Sequence, residues 1–126
     1  MIYDCFLFNG EYDLLNVRLA ELAPFGDNIQ HVMIESKYTF TGIEKPIHAV
    51  PKLSDRIRWI PFAETPNPDA WVNEKRTRNV IKTALHQFDP ADDDIIILSD
   101  LDEIPKAYAI SQYSPSYGLC ALQMDM

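Results

Sequence analysis

A chain of 126 residues that is 47% apolar and 24% charged can bury one cooperative core and is too short for two domains of ordinary size. Its 19 acidic against 11 basic residues give a formal net charge of −8, which argues against a nucleic-acid partner, because backbone phosphates are bound by clustered Lys and Arg. No basic start followed by a long apolar run occurs, so neither a signal peptide nor a membrane span is expected.

Ile2 to Phe8 reads as a first strand, with Asp4 inside it, and Glu11 to Leu22 as a helix whose Leu15, Leu19 and Leu22 share one face. Asn9-Gly10 joins them as a strand-to-helix turn, and Pro24 stops the helix. Gln30 to Glu35 is a second strand and Arg56 to Phe62 a third. The polar segment between them, from Thr39-Phe40-Thr41-Gly42 to His48, has no helical period, so it reads as a loop over the carboxyl edge of the sheet that a ligand would order. Trp71 to Phe88 is the longest helical pattern, with Ile81, Ala84, Leu85 and Phe88 on one face and Glu74, Arg78 and Lys82 on another. Asp89-Pro90 ends it, and Asp92-Asp93-Asp94 leads into the run Ile95-Ile96-Ile97-Leu98, which reads as a strand covered on both faces. Lys106 to Tyr113 is a short helix, and a last strand falls around Gly118 to Met124.

This alternation predicts an α/β sandwich, Rossmann-like, with a mainly parallel sheet, over one domain, 1–126. Cys5 and Cys120 both fall in predicted strands among apolar neighbours, so buried reduced thiols are expected for both. The chain stops in or just after an apolar strand. A truncated domain is therefore expected, with self-association through the exposed strand Leu119 to Met124.

In an open α/β sheet ligands bind outside the carboxyl ends of the strands, where Phe8, Glu35, Phe62 and Asp100 arrive. The most informative stretch lies at that edge. Ser99-Asp100-Leu101-Asp102-Glu103-Ile104-Pro105 follows the fourth strand, and Asp100 and Asp102 point the same way if the extended geometry continues through them. Two such carboxylates can share a hard divalent cation and leave its other positions to water or substrate phosphate oxygens. Glu103 is then a third ligand, a water-mediated ligand or an orienting base. The plainer reading is a strand-end turn rich in Asp.

Rival motifs do not fit. No phosphate loop of the G-x-x-x-x-G-K type accompanies the strand, no G-x-G-x-x-G occurs, and the Asp pair follows the fourth strand rather than the first, where nucleophilic Asp-x-Asp phosphotransferases carry theirs. Arg76 and Arg78, near the start of the long helix, suit a diphosphate or a carboxylate of the site; the alternative for Arg78 is a solvated pair with Glu74 at i,i+4. Glu35 could bond a base, a ribose or an acceptor hydroxyl. Glu11, in the first turn of the first helix, is most simply a favourable charge near the helix N-terminus. His31, His48 and His86 show no metal spacing and receive no role.

Four linked segments, Phe8-Asn9-Gly10-Glu11-Tyr12-Asp13-Leu14-Leu15, Arg18-Leu19-Ala20-Glu21-Leu22, Glu35-Ser36-Lys37-Tyr38-Thr39-Phe40-Thr41-Gly42 and Ser99 to Pro105, together resemble glycosyltransferase family 17. That family includes β-1,4-mannosyl-glycoprotein N-acetylglucosaminyltransferases. The resemblance implies a GT-A nucleotide-sugar-binding domain, with Asp100 and Asp102 at the metal position and Phe8, Glu11, Glu35, Arg78 and Asp100 toward the donor. It further implies Mn²⁺ or Mg²⁺ as cofactor, a UDP-sugar, with N-acetylglucosamine as the sugar, as donor, and a glycan or other hydroxyl acceptor. Relatives continue into an acceptor-binding and catalytic half, where the base would lie. With no membrane anchor in this sequence, a cytoplasmic enzyme is expected, and a non-catalytic nucleotide-sugar-binding fragment or inactive remnant is the alternative.

Overall fold

In the structure, a computed structural model that describes residues 1–39, 41–47, 55–114, 116 and 118–120, four strands form one parallel sheet. They are β1 (Ile2–Leu7), β2 (Ile29–Ser36), β3 (Ile57–Phe62) and β4 (Ile95–Leu98), in spatial order β3-β2-β1-β4. Helix α1 (Tyr12–Leu22) follows β1, α2 (Ala70–Phe88) precedes β4, and the short α3 (Ala107–Ser111) comes after it. The architecture is the expected Rossmann-like α/β sandwich.

Alternation along the strands sorts the core into two faces. Tyr3, Cys5, Val32 and Ile34 meet Ile81 and Ala84 of α2, with Leu85 and Phe88 packed at the margin. On the other face Phe6, Phe8 and Met33 meet Leu15 of α1 and Leu101, and Ile2 and Ile29 meet Leu22 and Ile110. Helix α2 starts where Asp69 accepts the Trp71 N–H at 3.0 Å and stops at Asp89, whose left-handed backbone (φ 49°) precedes Pro90. The β1-to-α1 link turns on Gly10 at φ 86°, a value that suits glycine.

Three expectations are corrected. First, β4 is covered on one face only: Ile96 and Leu98 are 45% and 67% exposed. An unbroken apolar run looks the same at the centre of a sheet and at its edge; here β4 is an edge strand among the described residues, and α2 packs over β1, β2 and β3 instead. Second, the described part of the segment after β2 carries its own order. Tyr38 pairs with Glu44 in an antiparallel bridge, the Lys45 N–H bonds the Lys37 carbonyl at 2.9 Å, and the Thr39 N–H bonds the Ile43 carbonyl at 2.8 Å, so a small hairpin forms where an irregular loop was expected.

Third, Gly118–Cys120 form no strand, and Cys120 is exposed rather than buried. The rest of the expected last strand, 121–124, lies outside the described residues, as do His48 and Phe40. Cys5 is buried as expected, and burial, aided by the neighbouring Asp4 carboxylate, pushes its thiol up to about 12. A thiol reagent is therefore expected to label Cys120 in the native protein and Cys5 only after denaturation, measured by mass spectrometry of the labelled peptides.

Candidate functional site

The strand order reverses between β1 and β4: the chain runs from β1 outward through β2 and β3, then returns to lay β4 on the other side of β1. A crevice opens at such a switch point, beyond the carboxyl ends of the strands. Here it has a volume of about 400 Å³. Its walls come from the ends of β1 and β2, the hairpin after β2, the first turns of α1 and α2, and the loop after β4.

That last loop carries the acids. The strand ends at Leu98, so the extended geometry does not continue through Asp100 and Asp102, yet the two carboxylates still line one crevice. A turn does the work instead. The Glu103 N–H bonds the Asp100 carbonyl at 3.1 Å, Leu101 is driven into the core at 3% exposure, and its two flanking aspartates are left outside. Glu103 faces away: its carboxylate accepts the Asp100 N–H at 2.9 Å, and it borders a separate cavity along β4 rather than the crevice.

Arg78 of α2 donates from Nη2 to Asp100 Oδ1 at 2.8 Å and to Glu74 Oε1 at 3.3 Å, so it contacts both a carboxylate of the acidic loop and its i,i+4 neighbour. The hydrogen bond that Arg78 donates to the Asp100 carboxylate is the main cause that raises the Arg78 pKa above its ordinary value. Arg76 turns elsewhere, toward the Thr65 carbonyl and Glu64. Glu11 caps α1 by position, makes no side-chain cap bond, and lines the crevice. Phe8 also lines it, although it is almost wholly buried and stacks edge-on against Tyr12 with centroids 5.3 Å apart.

Glu35 is not on the wall. It is fully buried, accepts the Trp59 indole N–H at 3.2 Å, and lies 3.8 Å from the Lys45 ammonium. Lys45 does line the crevice, and among the described residues its Nζ is a buried polar atom with no hydrogen-bond partner. Nothing in the spacing of the sequence points to Lys45, which sits in a non-periodic hairpin. A buried cation that lacks donated contacts to acceptors costs free energy unless something supplies them.

Beneath the acidic loop is a second group that the sequence reading left without a role. Asp4, Arg18 and His31 are all buried, with His31 Nδ1 2.7 Å from Asp4 Oδ2 and Arg18 Nη2 2.5 Å from Asp4 Oδ1. Burial alone would raise the Asp4 pKa, but hydrogen bonds and charge from His31 and Arg18 outweigh it and hold the carboxyl below its ordinary value.

A divalent cation fits the acidic loop in the chemistry of its donors: two exposed carboxylates, hard oxygen ligands on one turn, are too few to close a coordination shell and suit an ion that shares phosphate oxygens. Among the described residues no cluster of three or more His, Cys, Asp or Glu forms a closed metal site. No described helix is long and apolar enough to cross a membrane. The family model for glycosyltransferase family 17 matches residues 1–117. Comparison with curated proteins and with solved structures finds no match.

Proposed function

This chain belongs to glycosyltransferase family 17, and on that premise we propose that its crevice binds a nucleoside diphosphate sugar together with a divalent cation. The carrying observation is the convergence in one crevice of two exposed carboxylates, the Arg78 guanidinium and the Lys45 ammonium, which among the described residues has no hydrogen-bond partner. Cationic donors and metal-ligating acids side by side match a diphosphate bound through both. The fold is then that of a GT-A donor domain, Asp100 and Asp102 hold Mn²⁺ or Mg²⁺, and the sugar is N-acetylglucosamine carried on UDP.

In the transfer, an acceptor hydroxyl oxygen bonds to the anomeric carbon as the bond from that carbon to the diphosphate oxygen breaks. The acceptor proton goes to a base, and the nucleoside diphosphate leaves. A bound divalent cation supplies Lewis-acid stabilisation of the negative charge on the leaving group. The chain's own part is to hold that charge. Arg78 presents a planar fork of donors to phosphate oxygens, and Lys45 Nζ, which has no hydrogen-bond partner among the described residues, offers further donors from the hairpin after β2. Glu35, behind Lys45, keeps the ammonium in place rather than touching the ligand.

Calorimetric titration of the chain with UDP, with and without Mn²⁺, tests this. Binding that requires Mn²⁺ and is lost on chelation is the expected result. Absence of binding by a chain with well-dispersed amide signals would refute it. Release of UDP from UDP-N-acetylglucosamine in the presence of acceptor would separate an enzyme from a module that binds without turnover.

A further inference from the structure

Arg18 lies on α1 between Leu15 and Leu22, on the stripe that faces the sheet, and its side chain is fully buried over the Phe6 ring, 4.7 Å from the centroid. Its donors divide into two sets. One edge meets Asp4 of β1: Nε donates to Oδ2 at 3.0 Å and Nη2 to Oδ1 at 2.5 Å. The other reaches the loop after β4. Nη1 donates to the carbonyls of Asp100 at 3.0 Å, Leu101 at 3.3 Å and Glu103 at 3.2 Å, and Nη2 donates to Ser99 Oγ at 2.6 Å.

We propose that Arg18, anchored by Asp4, is the positioning residue of the acidic loop, fixing the backbone from Ser99 to Glu103 so that the Asp100 and Asp102 carboxylates stand ready for a cation and diphosphate. The proposal rests on the donor-site reading above. Three carboxylates within four residues repel one another and oppose a tight turn. A cation held under the same turn offsets that repulsion, and three carbonyls converging on one nitrogen leave the backbone little freedom. Only a planar guanidinium can serve Asp4 on one edge and the loop on the other; a lysine ammonium has too few donors and the wrong shape. Arg18 touches no ligand. It lowers the ordering cost that binding would otherwise meet.

The test uses the whole chain and two variants, Arg18→Lys, which keeps the charge, and Asp4→Asn/Arg18→Met, which leaves no charge unpaired and retains a partner for His31. In the absence of metal and nucleotide, amide exchange is read at Asp100 and Glu103, whose N–H groups are bonded within the loop, and at β1 and β2 as a control on the fold. Exchange at the loop is expected to quicken about tenfold while β1 and β2 stay protected. Affinity for UDP with Mn²⁺, by calorimetry, is expected to fall roughly 10- to 100-fold, the usual cost of losing a group that orients metal ligands. A folded variant with wild-type exchange at the loop, or with wild-type affinity, overturns the proposal. So does protection lost evenly across β1, β2 and the loop in both variants, since Arg18 would then be a core residue only. If wild-type protein itself binds no UDP with Mn²⁺, the donor-site reading falls, and the exchange measurement alone still decides whether Arg18 clamps the loop.

Discussion

Replacing Asp100 and Asp102 together by alanine is expected to abolish metal-dependent nucleotide binding while leaving the fold intact. Both side chains are exposed, and the Asp100 partner, Arg78, is itself 43% exposed, so breaking their ion pair should cost no more than about 1 kcal/mol. Relief of repulsion among Asp100, Asp102 and Glu103 works against even that loss. The effect on binding is of another size. Removal of groups that merely orient a metal ligand lowers affinity about 10- to 100-fold, so loss of both ligands should reach the upper end or beyond, roughly 100-fold or more. Arg78→Ala separates the two kinds of contact: it removes charge-assisted donors worth about 1.5–3 kcal/mol each, so affinity for UDP should fall at least about tenfold while uridine binding changes little. Calorimetric titrations with UDP and uridine, beside thermal melts of each variant, make the comparison. Unchanged UDP affinity in the double alanine variant would remove both carboxylates from the site.

The sheet and both long helices could be read from the sequence because each buries a periodic apolar face. Ile81, Ala84, Leu85 and Phe88 repeat at helical spacing, and Asp69 and Asp89-Pro90 punctuate the ends. The acidic loop could be picked out because two aspartates and a glutamate follow an apolar strand. What escaped were the groups whose partners are distant in sequence. In α1 the leucines alone describe a normal amphipathic helix, and Arg18 passes for a solvated residue, yet it is buried because β1 presents a carboxylate to it. One signal was available. Asp4 interrupts an apolar strand, and a buried acid needs a cation; His31 is its register partner on β2. Lys45 offered no such signal, since a hairpin without periodicity fixes its lysine only through the tertiary contact with Glu35. The exposed face of β4 was equally hidden, because an isoleucine run says nothing of its place in the sheet.

Asp4→Ala is expected to destabilise the chain by about 3–5 kcal/mol at neutral pH, because it leaves the Arg18 guanidinium buried without its counter-charge. The pH dependence follows from the direction of the Asp4 shift. Its folded pKa lies below the ordinary 3.8, so the folded state favours the ionised form, and the stabilisation is fully present above that value. It is lost as pH falls through the lower folded value. Urea denaturation should therefore give a constant gap between wild type and Asp4→Ala from neutral pH down to about 4, narrowing below it; a gap that widened toward acid would refute the ionised assignment. The neutral pair Asp4→Asn/Arg18→Met should recover much of the loss, since a buried ion pair is often no more stable than uncharged residues of similar size. Stability alone then does not account for the pair. If the recovered fold still binds UDP and Mn²⁺ poorly, these two buried charges serve to hold Asp100 and Asp102 in place, and the core of the sheet and the chemistry of its edge are joined through one guanidinium.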